Sequence, residues 1–411
     1  MDGQATGVIR SFDAAAIFGP PRITIPPPPS EATLIDPLTD NPVWTQSDDR
    51  FGFEPYVMIL HELVHRSEPL PVTVGVFGPW GTGKTSFLRL WHSQLGVAHA
   101  DRAIWFNPWK YDQRVEIWAA LLQTVLAEVA VDPALRDRAS RLAQAATWLS
   151  LKAGLGIGAK LATGGLIDGK AVEGLVEALS ESDRGYYSEV NRFEADFADL
   201  VRRVVGDEGR LFIFVDDLDR CAPAAAMTVL ESLKLFLGDA RCVFVIAMDF
   251  DRLAAIAAGK FGDGTTVSGT AYLEKIIQIP FHLPEPDFSA IEAAYKPHVI
   301  DIDGFWRIVQ AGLGNNPRKV KRFLNLFNIG VAILERDSTV TISAQVLLQL
   351  AVVLLIRGEH RETFHALRAD PGSWGTALAH AGLEHAATGL QIPAPTPQRL
   401  HRMLNAVRLA F

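Results

Sequence analysis

The sequence predicts an α/β protein whose core is a parallel β-sheet covered by helices on both faces. Short apolar runs alternate along the chain with longer segments of helical periodicity, which is the pattern of strand–helix–strand units. The three clearest runs are 72–77, 211–215 and 242–247, and each ends at or near a glycine or acidic residues. Runs that are apolar throughout are typical of strands buried on both faces.

The first helix and strand follow from periodicity. From residue 48 to 65, apolar side chains recur at steps of three and four residues, which predicts a helix packed against the core. These apolar residues are Phe53, Val57, Leu60 and Val64. The run 72–77 then predicts a buried strand that ends at Gly78, and residues 85–95 predict a helix.

The middle of the chain predicts a helical region between two strands. Residues 103–106 predict the second strand, and the segment from 117 to about 203 is helical in pattern apart from a Gly-rich centre at 154–169. One face of its first helix is apolar, formed by Leu121, Leu122, Val125 and Val129. The run 211–215 predicts a third strand, which ends in two aspartates.

The remaining pattern completes the predicted domain organisation. A helix over 228–237 precedes the strand 242–247, and after a stretch of prolines at 280–286 the pattern is helical to the end. We therefore predict three parts, a Pro-rich tail, a core with a helical insert at about 112–205, and a C-terminal helical domain. Their boundaries are 1–45, 46–285 and 286–411.

Composition limits the classes of partner. The chain is 48% hydrophobic and 21% charged, with a net charge of −8, so it lacks a protein-wide attraction for nucleic acid or anionic membranes. The nearest approach to a membrane helix is 153–167, which is Gly-rich and interrupted by Lys160, so membrane contact is the minor alternative. Cys221 and Cys242 form no CxxC pair, and no apolar stretch resembling a signal peptide follows the N-terminus. We expect a cytoplasmic protein with reduced cysteines.

Residues 78–85 carry the strongest functional signal. They read Gly-Pro-Trp-Gly-Thr-Gly-Lys-Thr, which matches GxxxxGK[ST] at every fixed position between a predicted strand and a predicted helix. In such a phosphate loop the glycines let main-chain amides approach a nucleotide's phosphates, the lysine adds a positive charge, and the hydroxyl of Thr85 can bind Mg²⁺. The predicted binding residues are Gly78, Pro79, Trp80, Gly81, Thr82, Gly83, Lys84, Thr85 and Ser86.

The acidic end of the strand 211–215 supplies the expected partner of that loop. The first carboxylate, Asp216, emerges where Mg²⁺ is expected, and Asp217 is the candidate that orients or deprotonates the attacking water. The alternative is a solvated turn that merely closes the strand. Arg220 follows closely, either as an ion-pair partner of these acids or as a group that faces the phosphates.

A second motif, His61-Glu62-Leu63-Val64-His65, matches HExxH on the first predicted helix. That spacing directs two imidazoles to one Zn²⁺ in metalloproteases, with the glutamate as general base. Spacing identifies no third ligand, and the helix leads directly into the phosphate-loop strand. We therefore interpret the motif as a chance match and expect a surface pair of histidines.

Four segments together resemble the KAP family of P-loop NTPases. They are Gly-Pro-Trp-Gly-Thr-Gly-Lys-Thr-Ser at 78–86, Phe-Asn-Pro-Trp-Lys-Tyr at 106–111, Asp-Asp-Leu-Asp-Arg-Cys at 216–221 and Asn-Pro-Arg-Lys-Val-Lys-Arg-Phe at 316–323. Residues 49–52 and 272–277 are also similar to the family. The resemblance spans about residues 48–330, in the family's order.

The resemblance implies a sheet of the additional-strand type, in which the acidic strand is not adjacent to the phosphate-loop strand, followed by a helical domain. It implies ATP as the nucleotide, and roles in membrane-associated signalling complexes or in bacterial defence. Many family members carry transmembrane helices between the phosphate loop and the acidic strand. This sequence has only the weak stretch 153–167 there, which favours a member without a membrane anchor.

Arg318 stands where related NTPases have an arginine that senses nucleotide. A cation that faces a phosphate in a closed cleft contributes far more than one in water. The alternative is that Arg318, Lys319, Lys321 and Arg322 form a solvated basic face, with a local nucleic-acid contact as a lesser possibility.

Two functions follow from these residues. The first is an ATP-hydrolysing switch that uses Lys84, Asp217 and Arg318 and acts on an unidentified protein partner or on a second copy of the chain. The second is a binding module that nucleotide stabilises without turnover, because Asp217 stands where many ATPases use the longer glutamate.

Overall fold

The computed structural model of the chain describes residues 37–42, 45–95, 100–111, 117–130, 132–152, 186–235, 240–261 and 268–409. Most of the predicted Pro-rich tail and the whole of the stretch 153–167 lie outside these residues. Across the described ranges, no helix combines the length and apolar character that crossing a membrane requires.

The sheet-forming part of the chain alternates strands and helices. Its strands are β1 (Val72–Phe77), β2 (Arg102–Phe106), β3 (Leu211–Val215), β4 (Cys242–Met248) and β5 (Ile279–His282). Its helices are α1 (Glu54–His65), α2 (Lys84–Gln94), α3 (Ile117–Val129), α4 (Arg136–Lys152), α5 (Tyr186–Val205), α6 (Pro223–Leu235), α7 (Phe250–Phe261), α8 (Gly269–Glu274) and α9 (Phe288–Tyr295). Further helices are α10 (Phe305–Leu313), α11 (Pro317–Glu335), α12 (Ala344–Glu359), α13 (Arg361–Ala369), α14 (Trp374–His380), α15 (Glu384–Gly389) and α16 (Pro397–Leu409).

The five strands form one parallel sheet in the order β2-β3-β4-β1-β5. Strand β4 lies between β1, which leads into the phosphate loop, and β3, which ends in the two aspartates. The predicted α/β fold of the additional-strand type is therefore confirmed. Because all strands are parallel, the residues that follow them share one edge, where Gly78, Asn107, Asp216 and Asp249 lie.

The sheet is buried on both faces, because alternate residues of its strands pack into two separate hydrophobic clusters. In β3, Leu211, Ile213 and Val215 face the cluster that contains α3 to α7, while Phe212 and Phe214 face the cluster that contains α1 and α2. The predicted apolar face of α3 is buried as expected. Cys221 and Cys242 are both buried, and burial raises the pKa of the Cys242 thiol.

Strand β5 was not predicted, because Pro280 interrupts its short apolar run. Proline donates no hydrogen bond to a ladder, so it is confined largely to edge strands. Among the strands that the structure describes, β5 lies at the edge of the sheet and pairs with β1 alone, with Pro280 opposite Gly75. The first helix is also shorter than predicted, since α1 begins at Glu54 and a 3₁₀ turn at Gln46–Asp48 precedes it.

The chain divides into two compact units. One contains Leu38–Asp301 and Val309–Phe323, and with them the sheet. The other contains Ile302–Ile308 and Leu324–Phe411, and is helical. Within it, α12 is buried from Val346 to Ile356, and the side chain of Ser343 caps its N-terminus. The predicted domain boundaries at 45 and 285 stay predictions.

Candidate functional site

The phosphate loop joins β1 to α2 through six residues, 78–83. Gly81 and Gly83 have φ angles of +91° and +106°, a region that residues with a Cβ rarely occupy. Gly83 is the N-cap of α2, so the helix begins directly after the loop and the amides of its first turn are directed toward the loop. Amides of this kind, at the positive end of a helix, form a ready anion site. The conformation fits the cradle that the motif predicts.

The side chain of Lys84 folds back over the loop. Its Nζ donates hydrogen bonds of 2.7 Å to Gly78 O and 3.1 Å to Pro79 O, and it lies 4.0 Å from Asp219 Oδ2. Burial lowers the pKa of the Lys84 ammonium, while the carboxylates of Asp219, Asp249 and Asp216 act in the opposite direction. The ammonium therefore lies at the phosphate loop, where a bound phosphate would also lie.

The rest of the loop is held by its own side chains. Thr82 is buried, and its hydroxyl donates to Pro79 O at 2.9 Å. Ser86 is half-buried in the first turn of α2. Trp80 is half-exposed, yet its Nε1 donates to Asp219 Oδ2 at 2.6 Å and the guanidinium of Arg252 lies 5.0 Å from its ring centroid. The tryptophan thus ties the loop to the segment that follows the acidic strand.

Asp216 lies beside Thr85, as the two motifs predict. Thr85 Oγ1 donates a hydrogen bond of 3.1 Å to Asp216 Oδ1, which also accepts from the amide of Asp217 at 3.0 Å. Asp216 is 5% exposed. Burial and, secondarily, the charge of Asp217 raise the pKa of Asp216 to about 6, against the opposing effect of Arg89. Burial and the neighbouring negative charge make the ionised form of Asp216 unfavourable. A divalent cation bound beside the carboxylate would offset this cost, so the site fits such an ion.

Asp217 has a different environment from its neighbour. Its backbone is left-handed, with φ of 60° and ψ of 27°. Asn107 Nδ2 donates to Asp217 Oδ2 at 2.9 Å, and Arg220 Nε lies 2.8 Å from Asp217 Oδ1. Arg220 thus acts as the ion-pair partner of an acid, one of the two roles its position predicted. In turn, Arg220 lies 5.5 Å from the ring centroid of Trp109.

Arg318 lies at the start of α11, which contacts the phosphate loop. Asn316 caps this helix, since its Oδ1 accepts from Lys319 N at 3.1 Å, and its Nδ2 donates to Trp80 O at 2.8 Å. A Cβ on Gly81 would lie 2.8 Å from Arg318 Cβ, so the base of the arginine packs against the loop. The guanidinium itself pairs with Asp40, at 3.4 Å from Nε to Oδ2.

The structure thus brings together every predicted site residue except for the guanidinium of Arg318, which lies beside the loop but has an acidic partner. Sequence reasoning assigned no role to Asn107, Asp219, Asp249 or Asn316. Each follows a predicted strand or stands in a segment that carries the KAP resemblance, which is the signal that could have identified them.

The two histidines of the HExxH motif are not a surface pair. Their side chains are 22% and 11% exposed, and the Nε2 atoms of His61 and His65 lie 3.7 Å and 3.0 Å from Asp101 Oδ2. The carboxylate of Asp101 is fully buried and its Oδ1 accepts from Arg210 N at 2.8 Å. The expectation failed because Asp101, which comes 36 residues after His65, is invisible to local spacing.

This cluster has the composition of a metal site but the hydrogen bonds of a structural one. Its three candidate ligand atoms lie within 4.8 Å of one another. However, Trp91 Nε1 lies 3.3 Å from His61 Nδ1, and an indole N–H can only donate. Nδ1 therefore accepts and the ring proton of a neutral His61 sits on Nε2, which leaves that atom without a lone pair for a metal. Metal-binding histidines instead donate their second N–H to an acceptor.

Comparison with known proteins identifies the family. None of the curated proteins compared matches the chain. Among solved structures, a Walker-type ATPase of Pyrococcus abyssi is similar at 13% identity and a TM-score of 0.38, covering 90% of this chain and 92% of its own. The ORC2 protein of Aeropyrum pernix has 14% identity and a TM-score of 0.36, with 93% and 96% covered. Cdc6p of Pyrobaculum aerophilum has 13% identity and a TM-score of 0.34, with 88% and 86% covered.

These structural similarities are too low to bear on function. The family comparison is decisive, because the sequence model of the KAP family P-loop domain matches residues 53–334, which is well over half of the sequence. That range contains β1 to β5, the phosphate loop and the start of α11. This chain belongs to the KAP family of P-loop NTPases.

Proposed function

We propose that the chain binds ATP with Mg²⁺ at the phosphate loop and hydrolyses the nucleotide slowly, as a conformational switch. The observation that carries this proposal is the hydrogen bond of 3.1 Å from Thr85 Oγ1 to Asp216 Oδ1. It joins the first turn after the loop to the acidic end of a strand that is not adjacent to β1. Two oxygen ligands of the kind that Mg²⁺ prefers therefore meet next to the phosphate cradle.

The residues present fit a magnesium ion. Thr85 and Asp216 would hold it, and the raised pKa of Asp216 reflects the positive charge that the buried carboxylate needs. A magnesium ion held there would supply positive charge against the phosphates of the nucleotide. ATP is the nucleotide that the KAP resemblance implies.

The remaining steps belong to the chain's own residues. The amides at the start of α2 hold the phosphates, and Lys84 exchanges the carbonyls of Gly78 and Pro79 for phosphate oxygens. Asp217 orients the attacking water and accepts its proton. Arg318 approaches the γ-phosphate from the start of α11. Once these groups surround the nucleotide they stabilise the charge of the transition state, which is the main source of catalysis in phosphoryl transfer.

A switch also needs a connection from the loop to the rest of the chain. Asn316 supplies one, because it caps α11 with one side-chain atom and binds the loop carbonyl of Trp80 with the other. Helix α11 begins in the sheet-containing unit and ends in the C-terminal unit. A displacement of the loop on nucleotide binding can therefore be transmitted along α11, which belongs to both units.

The test is phosphate release by the purified full chain with Mg²⁺ and ATP. We expect slow turnover in the wild type and none in Lys84→Ala, which should also lose nucleotide affinity. Asp217→Asn should bind ATP and release no phosphate. The control Lys275→Ala removes an exposed lysine at the end of α8 and should match the wild type. Turnover in Lys84→Ala equal to that of the wild type would refute hydrolysis at this site.

One observation favours the second candidate, a module that nucleotide stabilises without turnover. Both oxygens of Asp217 already have partners, Asn107 and Arg220, so a water must displace one of them or share it. On this alternative, ATP raises the melting temperature equally in the wild type and in Asp217→Asn, and neither releases phosphate. The two candidates thus differ in one measurement, which is phosphate release by the wild type.

The setting of the switch rests on the family resemblance. It implies membrane-associated signalling complexes or bacterial defence. The cytoplasm as the location is what the composition favours, and the partner is an unidentified protein or a second copy of the chain. Sedimentation of the protein with ATP, with ADP and without nucleotide tests self-association. A mass that is the same in all three states would leave a different protein as the partner.

A further inference from the structure

A short segment with one acidic residue, Asp40, lies beside the start of α11. This segment, residues 38–42, is named here the Asp40 segment. Asp40 Oδ2 lies 3.4 Å from Arg318 Nε and 3.9 Å from Arg322 Nε, while Thr39 O accepts a hydrogen bond of 3.0 Å from Lys321 Nζ. Three cations from two turns of one helix therefore face a single carboxylate and the carbonyl beside it.

Arg318 connects this segment to the phosphate loop. Its Cβ packs against Gly81, at 2.8 Å from where a Cβ on that glycine would stand. The arginine is thus anchored beside the loop, while its Nε is directed to Asp40. An arginine side chain is long and flexible enough to change partners about a fixed Cβ.

The pairing with Asp40 is suited to exchange rather than to permanent structure. The side chains of Arg318 and Asp40 are 37% and 42% exposed. An ion pair at such exposure contributes little free energy, since water screens the charges. A phosphate offers the same guanidinium more negative charge and more acceptor oxygens, in a less solvated cleft. A phosphate group can therefore displace the carboxylate at small cost.

We propose that Asp40 is a tethered competitor, which holds Arg318 away from the phosphate loop until the terminal phosphate of a nucleoside triphosphate displaces it. This inference rests on the proposed function and adds a regulatory contact to it. A diphosphate lacks the group that competes, so it leaves Arg318 with Asp40. The Asp40 segment therefore makes the protein distinguish triphosphate from diphosphate, and its release accompanies the triphosphate state alone.

The test compares binding of a non-hydrolysable ATP analogue and of ADP, both with Mg²⁺, by calorimetry on the full chain. Asp40→Asn removes the charge and keeps the shape, so it should tighten binding of the analogue about two- to fivefold, the range that an exposed ion pair supplies. The affinity for ADP should not change. Asp207→Asn, at an exposed aspartate in the turn after α5, is the matched control and should alter neither affinity.

Arg318→Ala makes the test specific to this pair. In that background, adding Asp40→Asn should have no further effect, because the two residues act through one contact. Asp40→Ala should behave as Asp40→Asn does, which separates loss of charge from an effect of the amide. In 0.5 M salt the gain should shrink, since screening weakens the pair that the substitution removes.

Three results would overturn the inference while the proposed function stands. They are an unchanged affinity for the analogue in Asp40→Asn, an equal gain for ADP, and a gain that persists without Arg318. Each requires that the wild type binds the analogue in a manner lost in Lys84→Ala. If the wild type and Lys84→Ala bind neither nucleotide, the proposed function itself fails, and the competitor role of Asp40 with it.

Discussion

Asn107 Nδ2 donates a hydrogen bond of 2.9 Å to Asp217 Oδ2, and so joins the ends of two neighbouring strands, β2 and β3. Asn107 Oδ1 is buried, and the described part of the chain offers it no hydrogen-bond partner. A buried amide oxygen without a partner is costly unless a water or a ligand satisfies it. The asparagine therefore has its amide nitrogen bound to the candidate base, and its buried oxygen is left unsatisfied by the described residues.

Asn107→Ala tests whether this amide positions Asp217. We expect turnover to fall about tenfold, which corresponds to about 1.4 kcal/mol of lost transition-state stabilisation. The affinity for ATP should stay within about twofold of the wild type, because the amide lies on the base and not on the phosphate cradle. Steady-state phosphate release and calorimetry measure the two quantities. Asn405→Ala, at an exposed asparagine of α16, is the control. A parallel loss of affinity and turnover would contradict a positioning role.

Gly81→Ala tests the contact between the phosphate loop and α11. Gly81 has a φ of +91°, and an added Cβ would lie 2.5 Å from Asn316 Oδ1 and 2.8 Å from Arg318 Cβ. We expect nucleotide affinity to be lost and the free energy of unfolding to fall by about 1–3 kcal/mol, from backbone strain and the displaced side chains.

Gly206→Ala is the matched control for that substitution. Gly206 has a φ of +70°, but a Cβ there would meet no atom within 4 Å. It should lose only the strain of the left-handed backbone, about 1 kcal/mol, and keep its affinity for nucleotide. Chemical denaturation and calorimetry on both variants separate strain from contact. Equal affinities in the two variants would mean that the start of α11 does not restrain the loop.

The sequence predicted those parts of the site that depend on local order. A GxxxxGK[ST] loop after a strand defines both the cradle and Lys84, and a buried strand that ends in Asp216 has few places to direct its carboxylate. Parallel pairing then brings Thr85 and Asp216 together whatever the length of the insert between them. These placements follow from the sequence because the residues lie at the ends of parallel strands.

Other contacts were beyond sequence reasoning because they join distant segments through side chains. Arg318 and Asp40 are separated by most of the chain, and nothing in the sequence around either residue indicates that the two form a pair. Asp101 lies beside His61 and His65 because of the position that β2 takes in the sheet, which local spacing does not reveal. Strand β5 was missed for a different reason, since Pro280 is a negative signal for strands in general and is tolerated only at an edge that sequence alone does not reveal.

Trp80→Phe tests whether the loop moves when nucleotide binds. The indole N–H of Trp80 donates to Asp219 at 2.6 Å, and the half-exposed ring lies over Arg252. Nucleotide binding should alter these surroundings and therefore the tryptophan fluorescence of the protein. We expect the change on adding ATP to be lost largely in Trp80→Phe, although the chain has nine tryptophans. The same substitution at Trp374, in the C-terminal unit, is the control. A signal that persists in Trp80→Phe would show that another tryptophan reports binding.

Asp101→Ala tests whether the histidine cluster is structural. The buried carboxylate accepts from Arg210 N at 2.8 Å and lies 3.0 Å from His65 Nε2, so its removal takes the side-chain acceptor from a buried amide and breaks the contact with the imidazole. We expect the free energy of unfolding to fall by about 2–4 kcal/mol, and that of Glu128→Ala, at an exposed position of α3, to change by less than about 0.5 kcal/mol.

Zinc distinguishes this structural role from metal binding. A metal that binds only the folded state raises the melting temperature, whereas a cluster in which Trp91 fixes the proton of His61 on Nε2 offers Zn²⁺ no free lone pair there. We therefore expect excess Zn²⁺ and a chelator to leave the melting temperature of the wild type unchanged. If Zn²⁺ raised it in the wild type but not in Asp101→Ala, the indole would have to release Nδ1 on binding, and the HExxH helix would hold a metal after all.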